Sequence, residues 1–270
     1  MMLHKKAYAF IRKDFQNEMS YKLAFLMQLF GIFLSVTMFY FLSQLIGSVR
    51  IPALSRYGGN YFAFVLIGIA FSNYMDISLN SMARRIREGQ MMGTLEALLS
   101  TQTGLKTIIF SSSLYSFIFT SLRVVVFLAI GVVVFSLDLS RANYLGGFII
   151  LLLSILAFCS FGILSASFIM IFKRGDPVTR IFSGMSWLLG GIYYPIEILP
   201  QWLKTCACIL PITYSLQGMR FALLKGYSLG QLLPSMLYLL LFSMVVMPFS
   251  LLAFRYAVRL AKRDGSLTQY

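Results

Sequence analysis

Apolar residues gather in six long runs, Leu23 to Ile46, Tyr61 to Leu79, Ile108 to Leu137, Tyr144 to Ile171, Val178 to Ile192 and Leu232 to Phe254, separated by short segments where Lys, Arg, Asp and Glu collect. Most of them approach the roughly 20 residues a helix needs to cross a bilayer, so the pattern predicts an all-α polytopic membrane protein with six transmembrane helices. The third run is too long for one crossing, and its Ser111-Ser112-Ser113 end is expected to project from the bilayer as helix. The fifth is short and is expected to be completed by the broken segment after it.

That segment, residues 181–226, begins as a span and is then punctuated by Gly190, Gly191, Pro195, Pro200 and Pro211. Irregular backbone survives at membrane depth only where protein or water satisfies its amide groups, which points to a re-entrant element lining a pathway rather than a plain anchor. Residues from about Pro195 to Leu210 are expected to form two short helices that dip into the outer leaflet and return, with the sixth span starting afresh near Leu232. Tyr193, Tyr194, Glu197 and Trp202 fall near the outer interface, where aromatic belts are common in any case.

Composition fixes the class. Hydrophobic residues make up 59% of 270 positions and charged residues 12%, too little polar surface for a water-soluble globule. A net charge of +14 would raise the question of nucleic acid in a soluble chain. Here the cations sit between apolar runs, so membrane lipids are their natural partners and no nucleic acid is expected. Cys159, Cys206 and Cys208 form neither a paired framework nor a CxxC motif and read as small apolar fillers.

Alternate sides of the six runs differ in basic residues. Lys5, Lys6, Arg12, Lys13 and Lys22, then Arg84, Arg85, Arg87 and Lys106, then Lys173, Arg174 and Arg180, and finally Arg255, Arg259, Lys262 and Arg263 share one side. They outnumber Arg50, Arg56, Arg141, Lys204, Arg220 and Lys225 on the other, so both termini are expected to be cytoplasmic. Tyr8, Ile11, Phe15 and Met19 recur at helical spacing among polar neighbours, as in an interfacial helix lying on the inner leaflet; an ordinary basic leader is the plainer alternative.

The stretch RRIREGQMMGTLEALLSTQTG, residues 84–104, has the make-up of a docking element. Gly93 breaks the preceding turn, Thr94 can cap, Glu96 places a carboxylate in the first turn, and Leu95, Leu98 and Leu99 form a small apolar face. So short a helix needs a partner surface, which could be another protein, the membrane or the chain's own ends.

REGQMMGTLEALLST, GGIYYPIEILPQWLK and LPITYSLQGMRFALLKG together resemble the membrane (permease) subunits of type-2 ATP-binding cassette exporters, over nearly the whole chain. The resemblance implies a single transmembrane domain over residues 1–270. Within it lie an interfacial helix (1–22), spans one and two (23–79), a cytoplasmic coupling loop (80–106), spans three to five (107–192), the outer re-entrant element (193–231), span six (232–254) and a tail (255–270). It implies a coupling helix that enters a groove of an ATPase subunit, carried here by Glu88, Gly93, Thr94, Leu95, Glu96 and Leu98. It also implies an outer gate at Gly190 to Pro211, a second permease half in a homodimer, and a place in a bacterial plasma (inner) membrane. The family's usual proline after the coupling helix is absent from Ser100 to Gly104.

The chain has no GxxxxGK[ST] phosphate loop, so no cofactor is expected on it; ATP and Mg would sit on a separate ATPase. His4 is the sole histidine, and HExxH and GxSxG are missing, so a transport subunit is expected rather than an enzyme. Inside the spans, Asp76 and Arg123 lie at about 22 and 21 Å below the outer face at 1.5 Å per residue, close enough in depth to pair. Independent snorkelling to the inner interface is the alternative. With no ring of charges, the pattern suits an amphipathic, lipid-linked or drug-like cargo better than an ion pore. An ion-gradient-driven transporter and a non-transporting scaffold are the competing readings.

Overall fold

The computed structural model describes residues 22–46, 52–91, 105–172 and 177–263, and every regular element in them is helical. The interfacial segment and Gly93 to Leu98 of the coupling motif lie outside the described residues, as does the side chain of Glu88. The elements are α1 (Lys22–Ile46), α2 (Pro52–Ser55), α3 (Tyr61–Met91), α4 (Leu105–Val133), α5 (Tyr144–Phe172), α6 (Pro177–Leu189), a 3-10 turn (Ile196–Ile198), α7 (Gln201–Ile209), α8 (Pro211–Lys225) and α9 (Leu229–Arg263). With α3 drawn running downward from Tyr61, the α2 turn and the α4–α5 connection lie at the top.

Five of these helices, α1, α3, α4, α5 and α9, are long and apolar enough to cross a bilayer. The long runs extend beyond their apolar stretches: α3 continues past Leu79 to Met91, and α9 covers 35 residues from Leu229, three before its expected start, to Arg263. The fifth run is short, in keeping with the sequence pattern. Its helix stops at Leu189 after 13 residues, about 20 Å, short of a crossing. A sixth apolar stretch of spanning length is supplied by α7 and α8 together, bent by 85° at Leu210. The expected pair of short helices is thus a 3-10 turn and a nine-residue helix, followed by a longer and far more buried helix.

In lipid, helices gain little from burying apolar surface against one another, so small residues that let backbones approach decide the packing. Ser72, Ser78, Ser154, Ser160 and Ala157 line the centre, where α5 packs against α9, α3 and α8. Ser154 on α5 donates to Ser215 on α8 at 2.7 Å. The result is a dense inner group with a loose periphery: 78% of the spanning stretch of α3 is buried, against 11% for α1.

Candidate functional site

Down α3, nearly every side chain from Phe62 to Ser81 is buried; the half-buried positions are Ile69, Asn73, Asp76, Ile77 and Asn80, with Arg84 exposed below them. These recur at helical spacing, so they form one face, and that face is polar. Asn73 turns its amide nitrogen to the Ile69 carbonyl at 2.9 Å, and Asn80 does the same to Asp76 at 2.8 Å. Both amides thus lie on the same helix face as the Asp76 carboxylate.

Asp76 Oδ1 accepts from Ser183 at 3.2 Å and from the Trp187 indole at 3.4 Å, both on α6. Trp187 packs on Tyr193 at 5.6 Å between ring centroids, and Tyr193 stacks on Phe39 of α1 at 5.9 Å. A carboxylate, two amides and three aromatic rings thus come together where α1, α3 and α6 converge.

Above this cluster α6 ends abruptly. Gly190 N–H still reaches the Ser186 carbonyl at 2.9 Å, but Gly191 takes φ +75°, a left-handed conformation that glycine adopts at little cost. The chain then folds back, and the Tyr194 hydroxyl donates to the Leu188 carbonyl. Pro195 precedes the 3-10 turn and Pro200 precedes α7. Pro211 opens α8, where its missing N–H is no loss.

The freed backbone is satisfied from α8. Arg220, 2% exposed, donates from Nη2 to the Ile192 carbonyl and from Nε to the Phe64 carbonyl, each at 3.1 Å, with its guanidinium 3.4 Å from the Phe64 ring centroid. Gly68 makes this possible, since a Cβ there would lie 2.6 Å from Arg220 Nη2. Nearer the top, Glu197 accepts from Arg56 at 3.2 Å and from the Tyr57 hydroxyl at 3.3 Å, and Tyr57 stacks on Phe221 at 5.5 Å. Burial, with help from the Glu197 carboxylate, pushes the Tyr57 phenol up to about 12, so it remains a donor at neutral pH.

The structure does not bring Asp76 and Arg123 together. Asp76 turns to α6, whereas Arg123 lies 5.6 Å from the Phe119 ring centroid in a recess of about 130 Å³ beside Gln28 of α1. In the amide orientation that suits both groups, the Gln28 oxygen accepts from Arg123 Nε at 2.9 Å. Glu197 does join the broken element to the top of the bundle, while Trp202 is 70% exposed on α7. Arg220 does not belong with the loop cations among which its sequence neighbourhood places it, because its side chain is buried in the bundle. Sequence reasoning also missed Asn73 and Asn80, although Asn73, Asp76 and Asn80 at i, i+3 and i+7 in an apolar run were a readable signal. Ser183, Trp187 and Phe39 carried none.

No curated protein matches the chain. Residues 8–224 match the family model described as ABC-2 type transporter, a region that holds the α3 stripe, the α6 break and Arg220. The chain therefore belongs to the ABC-2 type transporter family, as a membrane (permease) subunit of an ABC transporter.

Proposed function

We propose that the chain is one half of an ATP-driven exporter, with a second copy of itself as the other half and a separate ATPase subunit that binds ATP and Mg. The observation that carries this reading is the polar face of α3. Asn73, Asp76 and Asn80 are half-buried at membrane depth, and a carboxylate facing lipid there would cost several kcal/mol, on the order of 3 on insertion scales. Such a face belongs on a wetted route or against a partner, and a route between two copies provides both. An amphipathic, lipid-linked or drug-like cargo would then pass between the halves, with Asp76, Asn73 and Asn80 along its way and Tyr193, Tyr194 and Glu197 at the outer end.

Coupling follows from the shape of α3. It runs unbroken for 31 residues, about 45 Å, so a push at Met91 is delivered to Asp76 without a hinge between. Residues Gly93 to Leu98, with Glu88 before them, would take that push from the ATPase on the cytoplasmic side of a bacterial inner membrane, with both termini on the same side.

Purification in mild detergent, followed by ATP-dependent uptake of a fluorescent amphiphile into inverted vesicles, tests the reading. A stoichiometric ATPase should accompany the chain, and Leu95→Asp should abolish uptake while leaving the protein inserted. Uptake that follows an ion gradient without any ATPase would overturn it in favour of a secondary transporter. Labelling of Leu267→Cys in intact cells, with Cys159, Cys206 and Cys208 replaced, should fail with an impermeant thiol reagent; reaction would refute the cytoplasmic tail.

A further inference from the structure

The cluster where α1, α3 and α6 meet has a definite chemical character. It brings the Asp76 carboxylate and the amide side chains of Asn73 and Asn80 together with the rings of Phe39, Trp187 and Tyr193. Among the described residues no cation lies against the carboxylate: Asp76 takes its two hydrogen bonds on Oδ1 from neutral donors, and Oδ2 has no partner. The described ion pair, Arg56 with Glu197, lies higher in the bundle. Aromatic faces carry negative potential and attract cations most strongly where water is sparse. A half-satisfied carboxylate beside such rings adds a full charge of the same sign.

We propose that this cluster binds an organic cation, and that the cargo is a cationic amphiphile whose charged group rests against Asp76 while its apolar body lies along α1 and α6. The inference rests on the route assigned to the α3 face. Charge sets the class, because the Asp76 carboxylate and the ring faces would both repel an anion. Shape sets the rest. Phe39 and Tyr193 are half-buried or more exposed, so a ligand can reach them from the bilayer side.

The test uses the full-length chain in lipid nanodiscs with radiolabelled tetraphenylphosphonium, competed by unlabelled tetraphenylphosphonium and by tetraphenylborate, two ions of like shape and opposite charge. Saturable binding is expected, displaced by the phosphonium and not by the borate. Asp76→Asn should weaken it roughly tenfold or more, and Asp76→Glu should restore most of it. Equal displacement by both ions, or undiminished affinity in a monodisperse Asp76→Asn protein, would overturn the proposal. If Asp76→Asn does not fold, the competition between the two ions on the unaltered chain still decides. Binding to nanodiscs needs no ATPase, so the outcomes separate cleanly. Cation binding by a chain that copurifies with no ATPase would sink the exporter reading alone, and ATP-driven uptake with no charge preference would sink this one alone.

Discussion

Arg220 and Asp76 are both ionisable side chains set in apolar helices, and the fold treats them in opposite ways. Arg220 is closed off from solvent, donates to two carbonyls from different parts of the chain and lies against an aromatic ring. Asp76 is half-buried, accepts from a hydroxyl and an indole at the long end of the hydrogen-bonding range, and among the described residues has no partner for its other oxygen. The guanidinium ties a break in the backbone to α3, whereas the carboxylate meets only the side chains of Ser183 and Trp187. Charge inside a membrane protein is therefore no single signal. What separates the two groups is whether the hydrogen bonds close backbone that the fold has broken or meet only other side chains.

Replacing Arg220 should separate the two sites most sharply. Arg220→Met removes two charged hydrogen bonds, at about 1.5 to 3 kcal/mol each, and strands the Ile192 carbonyl; after relief of the buried charge the net loss is about 3 kcal/mol. The thermal midpoint of the purified protein should fall steeply, or monodisperse protein should be lost altogether. Gly68→Ala acts on the same site by crowding, because the new methyl would displace both Arg220 Nη2 and the Ile192 carbonyl. Overpacking of this kind costs about 1 to 3 kcal/mol, visible as a smaller drop in the same midpoint.

Asp76→Asn should leave the midpoint within about 1 kcal/mol of the parent, since the amide oxygen can still accept from Ser183 and Trp187. ATP-driven uptake should nonetheless fall severalfold or more. A loss of stability matching that of Arg220→Met would erase the contrast and make Asp76 structural. Arg56→Ala should matter least. Its partner Glu197 is partly solvated and Arg56 itself is 54% exposed, so the pair contributes under about 1 kcal/mol, and the midpoint should hardly move.

Much of the fold was legible because bilayer thickness imposes a length on apolar runs, and α1, α3, α4, α5 and α9 all follow it. The break after Leu189 was legible too, since two glycines and three prolines leave helix few ways to continue. What the pattern could not reveal was depth. Gly218, Met219, Arg220 and Phe221 read as a loop-side stretch because Arg220 looks like a surface cation, yet α8 folds inward and buries all of them. Nothing in one sequence says that Gly68, more than 150 positions earlier, leaves the slot that receives Arg220. The Asp76 partners were hidden for the same reason: Ser183 and Trp187 are unremarkable residues of α6 until packing sets them against α3. Arg123 was matched to Asp76 by depth alone, and depth leaves the rotation of two helices unspecified.

The bend at Leu210 has a consequence for how such a chain is made. Two carbonyls at the end of α7 are closed by hydroxyl groups: Thr213 reaches back to Ala207 at 2.7 Å, and Tyr238 of α9 reaches Ile209 at 2.8 Å, with its ring stacked on Tyr214. On the other side, Asn143 at the head of α5 holds the Tyr227 carbonyl at 2.8 Å just beyond α8. As the chain emerges from the ribosome, α3 and α5 come first, so Phe64, Gly68 and Asn143 are present when α8 arrives. Tyr238 is not. The bent pair of α7 and α8 must wait, one carbonyl still open, for the last helix to arrive. A nascent chain stalled before α9 would therefore hold the bend only half closed, with Thr213 in place and the Ile209 carbonyl still open.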